Sequence, residues 1–227
     1  MQGAPFEAGD SVAEVGCGTG RLTLPLAALT SARVIGIDPE VRMLQVARSK
    51  DEAGRVEWIR GSAYRLPLAD GQASLLLMAM VVHLLRQRGR AFGEARRALR
   101  PEGRLSIWTF TPRHVQDFYL NEYFPSIPRI DAPRFPPPEV LGAELQRAGF
   151  ARVATEIQAE PRRLGIAEVV DRVRGRYIST LAMLPPLEYR LGLQRLEELL
   201  ARDRATQFWQ RTEWAVLTAQ RGQQKPG

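Results

Sequence analysis

Cysteine is nearly absent from this chain, with Cys17 the single one in 227 residues. One cysteine excludes disulfide scaffolds, cysteine-rich zinc sites and two-cysteine redox motifs. The histidines and carboxylates also lack the spacing of metal ligands, so the sequence predicts no metal site. No apolar run reaches 18 residues, which predicts that no segment spans a membrane. Residues 1–5 lack the charged and apolar regions of a signal peptide, and we therefore expect a cytoplasmic protein.

Lysine is scarce too: of the 32 lysine and arginine side chains, only Lys50 and Lys225 are lysines. The net charge of +7 would suit a nucleic-acid partner. The arginines, however, are spread along the chain, and the one denser stretch, 86–100, is interrupted by Glu94 and has the spacing of a solvated helix face. Nucleic acid is therefore not the expected partner, although the basic charge keeps an RNA or protein substrate as an alternative.

Three glycines, Gly16, Gly18 and Gly20, alternate directly after residues 12–15, a short run that is apolar except for Glu14. A segment with apolar periodicity follows at 22–29, so the stretch predicts a strand, a tight turn and the start of a helix. Glycines in such a turn adopt positive φ angles and let a ligand approach the backbone. The helix N-terminus adds free N–H groups. The sequence therefore predicts a site for a small polar ligand.

The glycine spacing separates two classes of ligand. A dinucleotide fingerprint reads GxGxxG, whereas this turn reads ExGxGxG, with Glu14 near the end of the strand. This form resembles motif I of the Rossmann-like S-adenosylmethionine (SAM) methyltransferases. The resemblance implies SAM as cofactor, S-adenosylhomocysteine (SAH) as product, and Glu14 attracting the ammonium of the SAM amino-acid tail. The same carboxylate would repel a pyrophosphate, which argues against the alternative of a nicotinamide-dependent oxidoreductase.

The next strand ends in a second carboxylate. Residues 33–38 form a β-branched run that ends at Asp38, about one βαβ unit after the glycine turn. A carboxylate at that position accepts both hydroxyls of a ribose; the alternative is a helix N-cap or turn residue before Pro39. Met43 falls on the first turn of the following helix, where the resemblance places an apolar side chain against adenine. An ordinary core methionine is the alternative there.

Two further segments extend the resemblance. Residues 61–68 are similar to the family's GDAxxLPF region, with Ser62 at the position of the acid that binds the adenine amino group and Ala63 offering its backbone N–H. Ser62 could instead be a turn hydroxyl that bonds to local backbone. The resemblance also places Met78 and Ala79 at the end of the fourth strand, facing the methionine part of the cofactor.

The alternation of strands and helices predicts an α/β fold. We expect a doubly wound, mostly parallel seven-stranded sheet, with an antiparallel seventh strand at the sheet edge and a helical insert before it. The predicted segments are a SAM-binding Rossmann-like core at 1–112, a Pro- and aromatic-rich substrate loop at 113–138, a helix and sixth strand at 139–159, a helical insert at 160–206 that serves as lid or dimer surface, a last strand at 207–222 and a tail at 223–227.

Chemistry on the acceptor requires little of the protein. SAM is already activated, so alignment of the two reactants and exclusion of water suffice, and a general base is needed only for a hydroxyl or an acidic carbon. His83 is the first candidate because it follows the fourth strand and would titrate near neutrality; the alternative is a histidine packed at a helix start. His114, Tyr119 and Tyr123 in the loop are weaker candidates.

The expected function is methyl transfer to a small, apolar or aromatic metabolite. The chain resembles the methyltransferases of ubiquinone and menaquinone biosynthesis and related small-molecule enzymes, and a homodimer through the insert is a further expectation. Ser62, Ala73, Ser74 and Glu102 depart from the family pattern, which keeps a noncatalytic SAM-binding protein as an alternative. The family also carries a helical cap before the glycine strand. Here about ten residues precede that strand, so the cap is absent or the start lies upstream.

Overall fold

The computed structural model describes residues 9–222, so the predicted tail at 223–227 and most of the residues before the glycine strand lie outside the described residues. Two compact units divide the described chain. The first unit comprises the residues up to Thr109 together with 138–156 and the residues from Val216 onward. The second unit comprises Phe110–Pro137 and Ile157–Ala215. The segments predicted from the sequence are contiguous, whereas each of these units is assembled from separate stretches of chain.

Seven strands form one sheet. They are β1 Ser11–Val15, β2 Arg33–Asp38, β3 Val56–Arg60, β4 Ala73–Ala79, β5 Leu99–Phe110, β6 Phe150–Gly165 and β7 Gln207–Arg221. Their order in the sheet is β3-β2-β1-β4-β5-β7-β6. The four neighbouring pairs from β3 to β5 are parallel, and the strands β5, β7 and β6 are antiparallel, so the predicted fold class is confirmed.

The prediction that the seventh strand lies at the sheet edge is wrong. Strand β7 lies between β5 and β6, and β6 forms the edge. Residues 151–163 of β6 are nearly all exposed and include five charged side chains and Pro161. Charges and proline on an edge strand prevent pairing with another chain. These residues lack apolar alternation, which is why the sequence predicted that the sixth strand ends by 159 and that the insert starts at 160, whereas β6 continues to Gly165.

The helices cover the connections between the strands. They are α1 Thr23–Leu29, α2 Val41–Lys50, α3 Arg88–Ala98, α4 Pro112–Gln116, α5 Ser126–Asp131, α6 Pro138–Arg147, α7 Ile166–Arg174 and α8 Pro186–Arg202. Two short 3₁₀ helices lie at Val82–Leu84 and Ser179–Ala182. Strand β1 is entirely buried, as a central parallel strand covered on both faces must be.

The second unit has a hydrophobic core of its own. The predicted loop contributes Leu120, Phe124 and Ile127, and the insert contributes residues such as Val169 and Leu196. The loop and the insert, 113–138 and 160–206, therefore form one packed body in the structure.

Helix α8 approaches the loop closely at a glycine. A Cβ atom on Gly192 would lie 2.2 Å from Cε1 of Phe124, so no larger residue fits there without movement.

Candidate functional site

The glycine turn has the geometry that its sequence predicts. Gly16, Gly18 and Gly20 have φ angles of +75°, +53° and +76°, a region that favours glycine. The N–H groups of Gly16 and Cys17 donate to the carbonyl oxygen of Ile37 at 2.7 and 3.1 Å, which ties the turn to the end of β2.

The three glycines differ in what surrounds them. A Cβ atom on Gly16 would lie 2.5 Å from Val81, and one on Gly20 would lie 2.7 Å from Trp58. A Cβ atom on Gly18 would have no protein atom within 4 Å. Two of the glycines are thus required by packing of the protein itself, whereas Gly18 faces open space.

Asp38 connects this turn to the next helix. Its carboxylate accepts from the N–H of Gly18 at 2.9 Å and from the N–H of Glu40 at 2.8 Å, and the residue is buried. A carboxylate has about four acceptor positions, so Asp38 fulfils the turn role and still has acceptor capacity for ribose hydroxyls. Pro39 follows immediately and is exposed at the same edge of the sheet.

Glu14 is a buried acid in β1, two residues before Gly16. It is 3% exposed, and the hydroxyl of Thr23 donates to it at 2.5 Å. Burial raises the pKa of Glu14 to about 7, because the charged form loses its hydration. Sequence reasoning missed Thr23 as the partner, although its place at the start of α1, nine residues later, was a usable signal.

The predicted adenine contacts lie on two separate segments. Met43 is 44% exposed on the first turn of α2, so it is not a core methionine. Ser62 accepts the N–H of Tyr64 at 3.3 Å, which is the local turn bond expected of the alternative role. Ala63 is buried beside it.

The end of β4 changes direction sharply. Met78 is fully buried and Ala79 partly buried, so of the two only Ala79 has surface to offer a ligand. Met80 then adopts φ +55° and donates its N–H to Trp108 at 2.8 Å. Val81 packs against Gly16, which places the segment carrying His83 next to the glycine turn. His83 itself is half-buried in the 3₁₀ helix Val82–Leu84.

The other candidate bases lie in the second unit. His114 is buried, stacks on Phe110 with ring centroids 3.9 Å apart, and has its pKa lowered to about 4 by burial. Tyr119 shares a hydrogen bond of 2.9 Å with Tyr177, and burial raises the pKa of Tyr119. Tyr123 packs on Phe208 at 5.9 Å. These three side chains thus pack on aromatic residues of the second unit outside the loop, and of the four candidate bases only His83 lies on the first unit.

Within residues 9–222, no group of three or more potential metal ligands occurs. In the same part of the chain, no helix is long and apolar enough to cross a membrane.

Comparison with known proteins agrees with this geometry. Residues 13–107 match a family described as "Methyltransferase domain". The ubiquinone/menaquinone biosynthesis C-methyltransferase UbiE of Paracoccus denitrificans is 30% identical over 169 residues, which cover 64% of this chain and 68% of that protein. The chain spans 55% of the length of one further bacterial relative and 65% of another.

Solved structures share the fold. A putative methyltransferase from Bacillus halodurans has a TM-score of 0.67 at 18% identity, covering 96% of this chain and 95% of that one. Phosphoethanolamine N-methyltransferase 2 of Haemonchus contortus, solved in complex with S-adenosyl-L-methionine, has a TM-score of 0.62 at 17% identity, covering 96% and 50%.

Proposed function

This chain belongs to the family of SAM-dependent methyltransferases, and we propose that it transfers the methyl group of SAM to a small, apolar or aromatic metabolite. The observation that carries the proposal is the glycine turn. A Cβ atom on Gly18 would meet no protein atom, whereas one on Gly16 or Gly20 would clash with a side chain, and the N–H of Gly18 donates to Asp38. That arrangement leaves room for a ligand at one backbone position and places a carboxylate directly beside it.

Besides the glycines, most of the predicted cofactor residues have a proposed role. The ammonium of the SAM amino-acid tail binds beside Glu14 and favours its charged form, because Glu14 belongs to none of the ion pairs within residues 9–222 and burial raises its pKa to about 7. Asp38 accepts the ribose hydroxyls. Met43 covers one face of the adenine, and Ser62 with Ala63 contacts its edge. Ala79, supported by the buried Met78, borders the methionine part of the cofactor.

The transfer itself is a displacement in line with the sulfonium carbon. The acceptor atom forms a bond to the methyl carbon while the bond from that carbon to sulfur breaks, and SAH leaves with the electron pair. The protein aligns the two reactants and excludes water. His83 takes the proton where the acceptor is a hydroxyl or an acidic carbon. Turnover that survives replacement of both His83 and His114 would remove histidine from this role.

The small-molecule acceptor is favoured over nucleic acid by the distribution of charge. Many arginines of the described chain are paired with carboxylates, among them Arg33 with Glu57, Arg97 with Glu94, and Arg174 with Glu197. Such pairs neutralise the basic surface that a polynucleotide would need. The homodimer through the helical insert stays a prediction, which sedimentation can test.

Alanine substitutions at two glycines with similar positive φ angles, Gly18 and Gly54, provide a test of the cofactor site. Gly54, in the turn before β3, has φ +59°, and a Cβ atom added there, as at Gly18, would have no protein atom within 4 Å. We expect Gly18→Ala and Gly54→Ala to lower the free energy of unfolding alike, by about 1 kcal/mol. Only Gly18→Ala should weaken SAH binding in calorimetric titration, by at least about tenfold, because its methyl group enters the ligand space.

The wild-type protein is titrated with SAH and, as a control, with NADH. Binding of SAH alone supports the proposal. Binding of NADH alone would contradict it, as would equal SAH affinities for the two alanine variants.

A further inference from the structure

A basic cleft on the first unit lies outside the proposed cofactor site. It has a volume of about 320 Å³ and is lined by Arg86, Arg88, Gly89, Glu144, Arg147 and Ala148. Arg86 lies in the loop before α3, Arg88 and Gly89 begin α3, and the other three residues lie at or just after the end of α6, so three guanidinium groups and one carboxylate line the same space. Its volume is at the lower end of the range for small-molecule sites, roughly 300–1,000 Å³.

The single carboxylate of the cleft is already used. Arg88 donates to the two oxygens of Glu144 at 2.7 and 2.8 Å, a bidentate pair whose side chains are 23% and 16% exposed. This pair cancels its own charge and holds the two helices together.

Arg86 and Arg147 retain their charge. Within residues 9–222, neither forms an ion pair with a carboxylate. The Nε of Arg147 donates to the carbonyl oxygen of Ala143 at 3.3 Å, which fixes the stem and leaves the two terminal nitrogens of the guanidinium. Both arginines are exposed. The cleft therefore has two uncompensated positive charges beside a neutralised pair.

The loop that carries Arg86 is held in place by its backbone. Tyr64 accepts the N–H of Arg86 at 2.9 Å through its hydroxyl, and Arg90 lies over the Tyr64 ring at 5.8 Å. A backbone held in this way lowers the entropy cost of ordering the loop when a ligand binds, so that only the Arg86 side chain remains to be ordered.

We propose that this cleft binds a phosphate group, either free phosphate or the phosphate of an organic monoester. Arg86 and Arg147 reach the cleft from two different elements, so their donors converge from two directions. A tetrahedral group with several charged oxygens accepts from both, whereas a planar carboxylate is satisfied by one fork, as Glu144 is by Arg88. The proposal goes beyond methyl transfer and does not depend on it.

The test measures phosphate binding by the full chain without SAM, at constant ionic strength, by calorimetry. Inorganic phosphate and phenyl phosphate are the two probes, and chloride is the background anion. We expect saturable binding that Arg86→Gln combined with Arg147→Gln weakens at least tenfold. The matched control combines Arg55→Gln with Arg104→Gln, two exposed arginines elsewhere on the first unit, and should change affinity less than twofold.

For a third variant we expect a higher affinity for phosphate. Glu144→Gln removes the only carboxylate of the cleft and releases Arg88, so phosphate should bind several-fold more tightly. Tighter binding of phenyl phosphate than of phosphate identifies an organic phosphate as the ligand, and equal binding identifies the free anion. The proposal is overturned if wild-type binding does not saturate, if the two double variants behave alike, or if Glu144→Gln leaves affinity unchanged in a protein that melts as the wild type does.

Discussion

The two units both bury carboxylates, but they compensate them differently. In the second unit, Asp131 pairs with Arg134 at 2.7 Å and accepts the Thr180 hydroxyl with both oxygens, at 2.8 and 2.9 Å. In the first unit, Glu14 has a hydroxyl partner and Asp38 has two backbone N–H partners. Among residues 9–222, neither of these two acids has an ion pair with a basic side chain.

The difference lies in the kind of partner. Asp131 has a cation of its own chain, although burial still raises the pKa of Asp131. Glu14 and Asp38 have hydrogen-bond donors but no ion pair within residues 9–222, and burial raises the pKa of Glu14 to about 7. A positively charged group beside Glu14 would favour its charged form, which is the role that we propose for the SAM ammonium.

The largest expected effect is the loss of stability caused by a substitution in the second unit. Asp131→Ala leaves Arg134 buried without its carboxylate, which should lower the free energy of unfolding by about 4 kcal/mol in urea titration. The SAH affinity of the folded protein should stay within twofold. Asp117→Ala is the matched control, because its pair with Arg113 is exposed and contributes under about 1 kcal/mol. Equal destabilisation by both variants would remove the contrast.

A smaller effect is expected on the pH dependence of the free energy of unfolding, with opposite signs in the two units. Burial raises the pKa of Glu14 to about 7 from an ordinary 4.5, so its contribution to stability is present at low pH and is lost as pH rises from 4.5 to 7. Burial lowers the pKa of His114 to about 4 from 6.5, so its contribution is present above 6.5 and is lost as pH falls.

The two contributions, each about 3 kcal/mol at most, therefore oppose each other between pH 4.5 and 6.5. Relative to wild type, stability should rise with pH in Glu14→Gln and fall with pH in His114→Gln, as measured by urea titration at several pH values. Parallel pH profiles of wild type and both variants would show that neither group is perturbed.

The smallest expected effect is the loss of SAH affinity on substitution of Asp38, and a substitution of Asp51 is the control. Both carboxylates accept backbone N–H groups, Asp38 from Gly18 and Glu40, and Asp51 from Arg55 and Val56. Asp38→Asn should weaken SAH binding about tenfold, or about 1.4 kcal/mol, with a smaller loss of stability. Asp51→Asn should lower stability and leave the SAH affinity unchanged. The reverse pattern would assign the ribose role elsewhere.

The sequence predicted the first unit well because local chemistry determines it. The spacing of Gly16, Gly18 and Gly20 and the acid at Asp38 require neighbouring backbone conformations, so the strand, turn and helix could be placed within two residues. The roles of Glu14 and Asp38 toward SAM remain predictions, although their positions in the structure are compatible with them.

The second unit could not be predicted in the same way because its contacts join distant residues. Nothing near Phe124 in the sequence indicates that it packs on Gly192, and nothing near Asp131 indicates Thr180. The order of β6 and β7 is likewise a long-range property, and a charged edge strand has no apolar pattern that would indicate its place. The cleft at Arg86 was hidden for the same reason, since Arg147 lies 61 residues away.

Strand β7 has a consequence for how the chain folds. Residues 207–215 of β7 belong to the second unit and residues 216–221 to the first. Both units are therefore completed by the same strand, and neither has all its native contacts before β7 has been synthesised. Folding that waits for distant pairing is slow and leaves strand edges unpaired in the meantime. A nascent chain of this protein keeps such unpaired edges until β7 has formed, whichever unit begins to fold first.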